Sequence, residues 1–148
     1  MSVEHVTHAS EDLVDAFNRL IPQLSPTAPH MTLARLEDFL SLYSTNQFVY
    51  RNDDGDIAGL ATLVCFEIPT GRRGRDEDVI DDESARGQGA GRALINAVVE
   101  RAKELSVKSL ELQSHPTRKA ANALYRGTGF YVREINLYRH KDIGQIKR

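Results

Sequence analysis

One cysteine, no tryptophan, two methionines and five prolines are all that 148 residues contain of those types. A lone Cys65 excludes an intrachain disulfide and a thiolate cage for zinc, and its place in the apolar run GLATLVCF suits a small buried side chain. An excess of one charge is lacking too. The net charge is −2 with 27% charged residues, so no global field draws the chain to nucleic acid or to an anionic membrane. No stretch approaches the ~18 consecutive apolar residues of a membrane span. The opening MSVEHVTHAS has no basic start followed by an apolar block, so a cytoplasmic location is expected. Internal repeats and low-complexity segments are also missing. What is present, 41% hydrophobic residues over this length, suffices for one domain with its own core, taken as residues 1–148.

The apolar periodicity alternates between strand and helix. Val3 to Thr7 reads as a short strand; Ser10 as the N-cap of a helix bearing Leu13, Phe17, Leu20 and Ile21; PQLSPTAPH as a loop. Thr32 caps a second helix with a stripe of Leu33, Leu36, Phe39, Leu40 and Tyr43. Asp54-Gly55 between two β-rich runs predicts a hairpin. Residues 69 to 76, PTGRRGRD, read as a mobile basic hairpin tip, and EDVID as a short strand after it. A long helix is expected from Gly89 to Leu105, then a strand over KSLELQS, a helix over TRKAANALYRG stopped by Gly127, and a final strand or strand pair over GFYVREINLYRH. The class is α/β in the mixed α+β sense, with a mixed sheet flanked by helices.

The segment ARGQGAGRAL places three glycines directly before the long helix. A helix start leaves four backbone N–H groups without carbonyl partners and carries partial positive charge, so an anion is its natural guest. Glycines at 87, 89 and 91 keep side chains out of the way, and Arg86 and Arg92 flank the turn with full charges. The phosphate cradle of a Walker A loop would need Lys-Ser/Thr where Arg92-Ala93 stands. A dinucleotide fingerprint needs G-x-G-x-x-G, and the spacing here is G-x-G-x-G.

At these residues the chain resembles the GNAT superfamily of N-acetyltransferases, whose pyrophosphate-binding signature Q/R-x-x-G-x-G/A is matched by RGQGAG, residues 86 to 91. The resemblance continues in the strand EDVID before the loop and in NALYRGTGF, residues 122 to 130, and spans about residues 55 to 140. It implies a GNAT-type central sheet, mixed but mostly antiparallel, and acetyl transfer from acetyl-CoA to a primary amine by direct attack in a ternary complex. It also implies coenzyme A on Arg86, Gly87, Gln88, Gly89, Ala90, Gly91 and Arg92, with the backbone of Val79, Ile80 and Asp81 pairing with the pantetheine arm. Asn122 matches the family asparagine that hydrogen-bonds the pantetheine; its other reading is a helix-turn cap. Glu77 matches a glutamate of the diamine acetyltransferase branch and is the candidate base, with a solvated carboxylate as the competing reading. Tyr125 matches the tyrosine that protonates the leaving thiolate, against an aromatic that only packs a helix onto the sheet.

Two departures stand out. Asp81 occupies a position that the family usually fills with an apolar residue; strand alternation puts it on the face of Glu77 and Val79, where it would attract a cationic amine. The basic stretch 72 to 75 stands where relatives lead into the strand with an apolar residue. Histidines 5, 8, 30, 115 and 140 lack metal-ligand spacing, so no metal is expected. Arg118 and Lys119 read as solvated surface or as contacts to the 3′-phosphate of the coenzyme. The expected partners are a small-molecule or peptide amine and, by family habit, a second copy in a homodimer through the C-terminal strands. A coenzyme-binding module without catalysis is the alternative of a different class.

Overall fold

The computed structural model describes residues 2–144. Five strands form one sheet in the order β1-β2-β3-β4-β5. They are β1 (Ser2–Val6), β2 (Thr45–Arg51), β3 (Ile57–Ile68), β4 (Gly71–Asp81) and β5 (Ser109–Glu111), and only the β4–β5 pairing is parallel. Four α-helices accompany them: α1 (Glu11–Leu20), α2 (Leu33–Ser41), α3 (Ala90–Glu104) and α4 (Lys119–Gly127). Among the described residues no helix is long and apolar enough to cross a membrane.

Local chemistry sets most of these boundaries. The Ser10 hydroxyl accepts from Leu13 N at 3.2 Å and the Thr32 hydroxyl from Arg35 N at 3.2 Å, each satisfying a first-turn donor. The β2–β3 turn closes on Gly55, at φ 83°, with the Asn52 side chain accepting from Asp54 N and Asp56 N. The two sheet faces carry separate cores. Leu13, Phe17, Leu20 and Leu36 of α1 and α2 cover Val49, Ile57, Leu60 and Ile80. Leu94, Val98 and Ala102 of α3 cover Phe48, Tyr50, Ala61 and Leu63.

Three expectations are corrected here. Residues 71–75 are not a mobile tip but the first half of β4, paired with Val64 to Ile68. Arginine stems can lie along a strand while their heads find partners. Arg72 donates to Glu67 and to the Leu105 carbonyl, Arg73 to Ser109 and Thr70, and Arg75 to Glu77. Secondly, α4 is stopped by Gly129 rather than Gly127: Gly129 takes φ 101°, and Phe130 N returns to the Tyr125 carbonyl at 3.0 Å. Thirdly, among the described residues no strand forms after α4. Residues 130–140 lie in neither helix nor strand, and 131–140 are exposed.

Candidate active site

β4 is the element on which the site is built, and one irregularity decides its geometry. Glu77 stands opposite Thr62 and Ile80 opposite Leu60, so three steps along β4 match two along β3. The extra residue is accommodated at Asp78, exposed and at φ 49°, a bulge that Asp tolerates better than most side chains. Because side chains alternate with period 2, one inserted residue exchanges the faces of everything after it. Glu77 therefore shares the α1/α2 face with Ile80, while Val79 packs with the α3 core. The expectation that Asp81 shares a face with Glu77 is overturned. Asp81 turns to the glycine loop, where a Cβ built on Gly91 would lie 3.8 Å from its Oδ2.

β5 accompanies β4 only from Arg73 to Arg75, so beyond Arg75 the edge of β4 has no strand partner among the described residues. That open edge leads to the glycine turn. Gly87 (φ 83°) and Gly89 (φ 79°) adopt left-handed backbone, and a Cβ on either would point into open space. Gly89 is the N-cap of α3 and offers no side-chain cap; the first helical bond runs from Ala93 N to Gly89 O, so helical carbonyls leave the N–H groups of Ala90, Gly91 and Arg92 without a partner. The third glycine has a different task. A Cβ on Gly91 would meet Leu124 Cδ2 at 2.9 Å, so its absence lets α4 pack against α3.

A cleft of about 400 Å³ joins these parts, with Val79, Ile80 and Asp81 on one wall, Arg86 and Arg118 on another, and Gln23 and Leu24 of the loop after α1 closing it. Arg86, largely exposed, is 3.7 Å from Glu83. Gln88 is held by a bond from Nε2 to the Ser84 carbonyl. Arg92 is turned to α4, donating to the Gly127 carbonyl at 3.3 Å. Asn122 donates to the His115 carbonyl at 3.1 Å, which anchors the start of α4.

Tyr125 is buried and packs edge-on against Phe130. Burial pushes its phenol above the ordinary range, Arg118 opposes this, and Asp76 and Asp81 add to it. A phenol so placed stays protonated and can donate. Glu77, on the α1/α2 face of the sheet, is half-exposed and accepts from Arg75 Nε at 3.0 Å. Beneath it lies a closed polar pair, with Thr62 donating to the Gln47 side chain at 2.6 Å and Gln47 to the Ala61 carbonyl. Cys65 has its thiol pushed up by burial, which disfavours a nucleophilic thiolate.

Asp76 is the residue that sequence reasoning missed. It is 3% exposed, neither carboxyl oxygen has a hydrogen-bond partner among the described residues, and burial, reinforced by Glu77, raises its pKa to about 7. It stands where β5 leaves β4 and faces the α3 side, because its partner Leu63 does. Residues 69 to 76 read as a loop in the sequence, and nothing in RRGRDED marks one carboxylate as buried.

Solved structures share this architecture along nearly their whole length. An acetyltransferase from Trypanosoma brucei superposes with a TM-score of 0.75 at 24% identity, covering 94% of this chain and 99% of that one. Glucosamine-6-phosphate N-acetyltransferase from Arabidopsis thaliana gives 0.76 at 18% identity, with 96% and 100% covered. AAC(6')-Iy in complex with the bisubstrate analogue CoA-S-monomethyl-acetylneamine gives 0.76 at 19% identity, with 94% and 97% covered. The fold is thus that of acetyltransferases. Residues 11–130 match the sequence model of the acetyltransferase (GNAT) family, and the chain belongs to that family. No curated protein matches the sequence.

Proposed function

We propose that this single-domain chain is an N-acetyltransferase that moves the acetyl group of acetyl-CoA to a primary amine within a ternary complex. One observation carries the reading: the edge of β4 opens after Arg75 and runs to a helix N-terminus whose amides Gly87 and Gly89 leave uncovered. Residues 86–91 hold the pyrophosphate with backbone N–H groups and the Arg86 charge. Val79 to Asp81 hydrogen-bond the pantetheine arm as an added strand would, and a β4 amide polarises the thioester carbonyl. The bisubstrate complex of a structural neighbour supports a coenzyme A ligand in this fold.

Glu77 acts on the acceptor. It takes a proton from the attacking nitrogen as the N–C bond forms on the thioester carbon; the C–S bond then breaks, and Tyr125 gives its proton to the thiolate. Glu77 faces the α1/α2 side, whereas Tyr125 belongs to α4, which packs on α3 through Leu124 and Gly91, so proton removal and proton donation do not compete. The acceptor is a small-molecule or peptide amine; structural neighbours include enzymes titled for aminoglycosides and for glucosamine-6-phosphate. The reading includes a cytoplasmic homodimer and no role for a metal ion.

A panel of primary amines, assayed with acetyl-CoA for free-thiol release, tests the reading. Turnover with at least one amine class is expected; coenzyme binding without turnover on any amine, peptides included, would leave a binding module. Gly89→Ala places a Cβ at φ 79° in the mouth of the loop, a left-handed conformation that costs a side chain about 1–2 kcal/mol. Calorimetry should find coenzyme A bound about tenfold more weakly, with the fold retained. Equal affinity would remove the loop from its assigned role.

A further inference from the structure

Helices α1 and α2 cover their face of the sheet over Val49, Ile57, Leu60 and Ile80, whereas Phe66 and Ile68, farther along β3, stay partly exposed. Beside those two residues runs a groove of about 330 Å³, lined by Phe66, Ile68, Arg73, Arg75, Glu111 and Arg133. Arg73 and Arg75 share the face of Glu77, because side chains two apart along a strand point the same way and the bulge at Asp78 lies beyond all three. They stand opposite Ser109 and Glu111 of β5, and Glu77 follows where β5 has left β4.

Charge sets this groove apart. Three arginines meet one glutamate in it, within a chain whose net charge is −2. Among the described residues Arg73 donates only to hydroxyls, to Ser109 Oγ at 3.2 Å and to Thr70 Oγ1 at 2.9 Å, so its charge has no counter-ion there. Arg75 uses Nε on Glu77, and its two terminal nitrogens have no partner among the described residues. Arg133 is 3.6 Å from Glu111, beyond hydrogen-bond length. Joining β5 to β4 at Arg73 needs a donor but no charge. Guanidinium forks with nitrogens to spare are the donors that carboxylates and phosphates take up in pairs of hydrogen bonds.

We propose that this groove binds an anionic group of the acceptor, and that the acceptor is a small primary amine carrying a carboxylate or a phosphate. The amine half rests on the acetyltransferase reading with Glu77 as base; the anion half stands on the groove itself. Arg75 joins the two halves. An amine on Glu77 and an anion on the far end of the Arg75 guanidinium stand roughly 5–8 Å apart, the length of a short carbon chain. Phe66 and Ile68 offer that chain an apolar surface. The volume lies at the small end of ligand pockets, which suits a small molecule better than a peptide. Glu111 works against the anion, so its removal should strengthen binding.

Amines that differ in the distal group test the proposal: 4-aminobutyrate against 4-aminobutanamide for the carboxylate, and O-phosphoethanolamine against ethanolamine for the phosphate. Free-thiol release with acetyl-CoA should favour the charged member of at least one pair by about tenfold or more in kcat/KM, the scale of one charge-assisted hydrogen bond. That preference should shrink as salt rises, and the pair that shows it identifies the anion. Arg73→Gln should cut the preference about tenfold, and Glu111→Gln should raise it. A damaged fold or a purely structural Arg73 would slow both members alike and leave the preference intact. Arg133→Gln alters an exposed residue and should act in the direction of Arg73→Gln, so the test does not hang on one variant. Turnover without preference for a charged member, or a preference untouched by Arg73→Gln and Arg133→Gln, overturns the proposal. Should no amine be turned over, the acetyltransferase reading fails and calorimetric titration of 4-aminobutyrate and O-phosphoethanolamine into the coenzyme A complex decides the anion site. Binding that Arg73→Gln abolishes would sustain the site; no binding of either compound would refute it.

Discussion

Glu77→Gln should lower kcat by about 10²- to 10⁴-fold, the range that a positioned base supplies. An alkylammonium titrates near ~10.4, so presenting the free amine at neutral pH costs about 4–5 kcal/mol unless a nearby group takes the proton. Glutamine keeps the size of the side chain and removes only that capacity. Half-exposed and paired with Arg75 at the surface, Glu77 adds little to folding, so a loss of rate would not reflect a loss of structure. Coenzyme A affinity should also survive, because Glu77, opposite Thr62, faces the α1/α2 side, away from the α3 face where the glycine turn lies. Tyr125→Phe should produce a smaller loss, with the alkaline limb of the rate profile altered. Steady-state kinetics on both variants, with coenzyme binding measured in parallel, checks the assignment. Unchanged kcat in Glu77→Gln would return this residue to a solvated carboxylate.

The second large effect concerns stability. Asp76→Leu should make the coenzyme-free protein more stable at pH 8 by on the order of 2–4 kcal/mol. In the unfolded chain Asp76 ionises near its ordinary value of 3.8; in the fold, burial holds the proton until about pH 7. Between those values the unfolded chain releases a proton that the folded chain retains, so this residue lowers stability by about 1.4 kcal/mol for each pH unit. The penalty is complete above pH 7 and vanishes below pH 3.8. Denaturant titrations of parent and variant should therefore diverge as pH rises from 5 to 8 and converge at the acid end. A constant difference across that range would show that Asp76 is solvated or paired in solution. A carboxylate that costs this much and has no partner is a form of strain that proteins store beside reacting groups, and Tyr125 feels its charge.

The parts of this protein that were legible in its sequence are those fixed by near neighbours. Ser10 and Thr32 cap their helices, Gly55 turns the hairpin, and the glycines at 87 and 89 take the left-handed backbone that no other residue adopts so cheaply. Each depends on a few adjacent residues, so spacing alone reveals it. The role of Gly91 was not legible, because the reason for its missing side chain is Leu124, more than thirty residues away. The arginines of residues 72–75 misled for a similar reason: their partners are Glu67, Leu105, Ser109 and Glu77, and only those contacts turn a polar stretch into a strand.

By itself the sequence determined the order of the elements up to α4, the family, and the left-handed glycine turn that opens α3. Tertiary structure alone decided which carboxylate faces which way. The bulge at Asp78 exists only in register with β3, and one inserted residue moved Asp81 away from Glu77, while the pairing of Asp76 with Leu63 buried that carboxylate on the α3 side. It also decided the fate of the last segment. A strand-forming sequence becomes a strand only where an edge accepts it, and within the single described chain residues 130–140 do not join one.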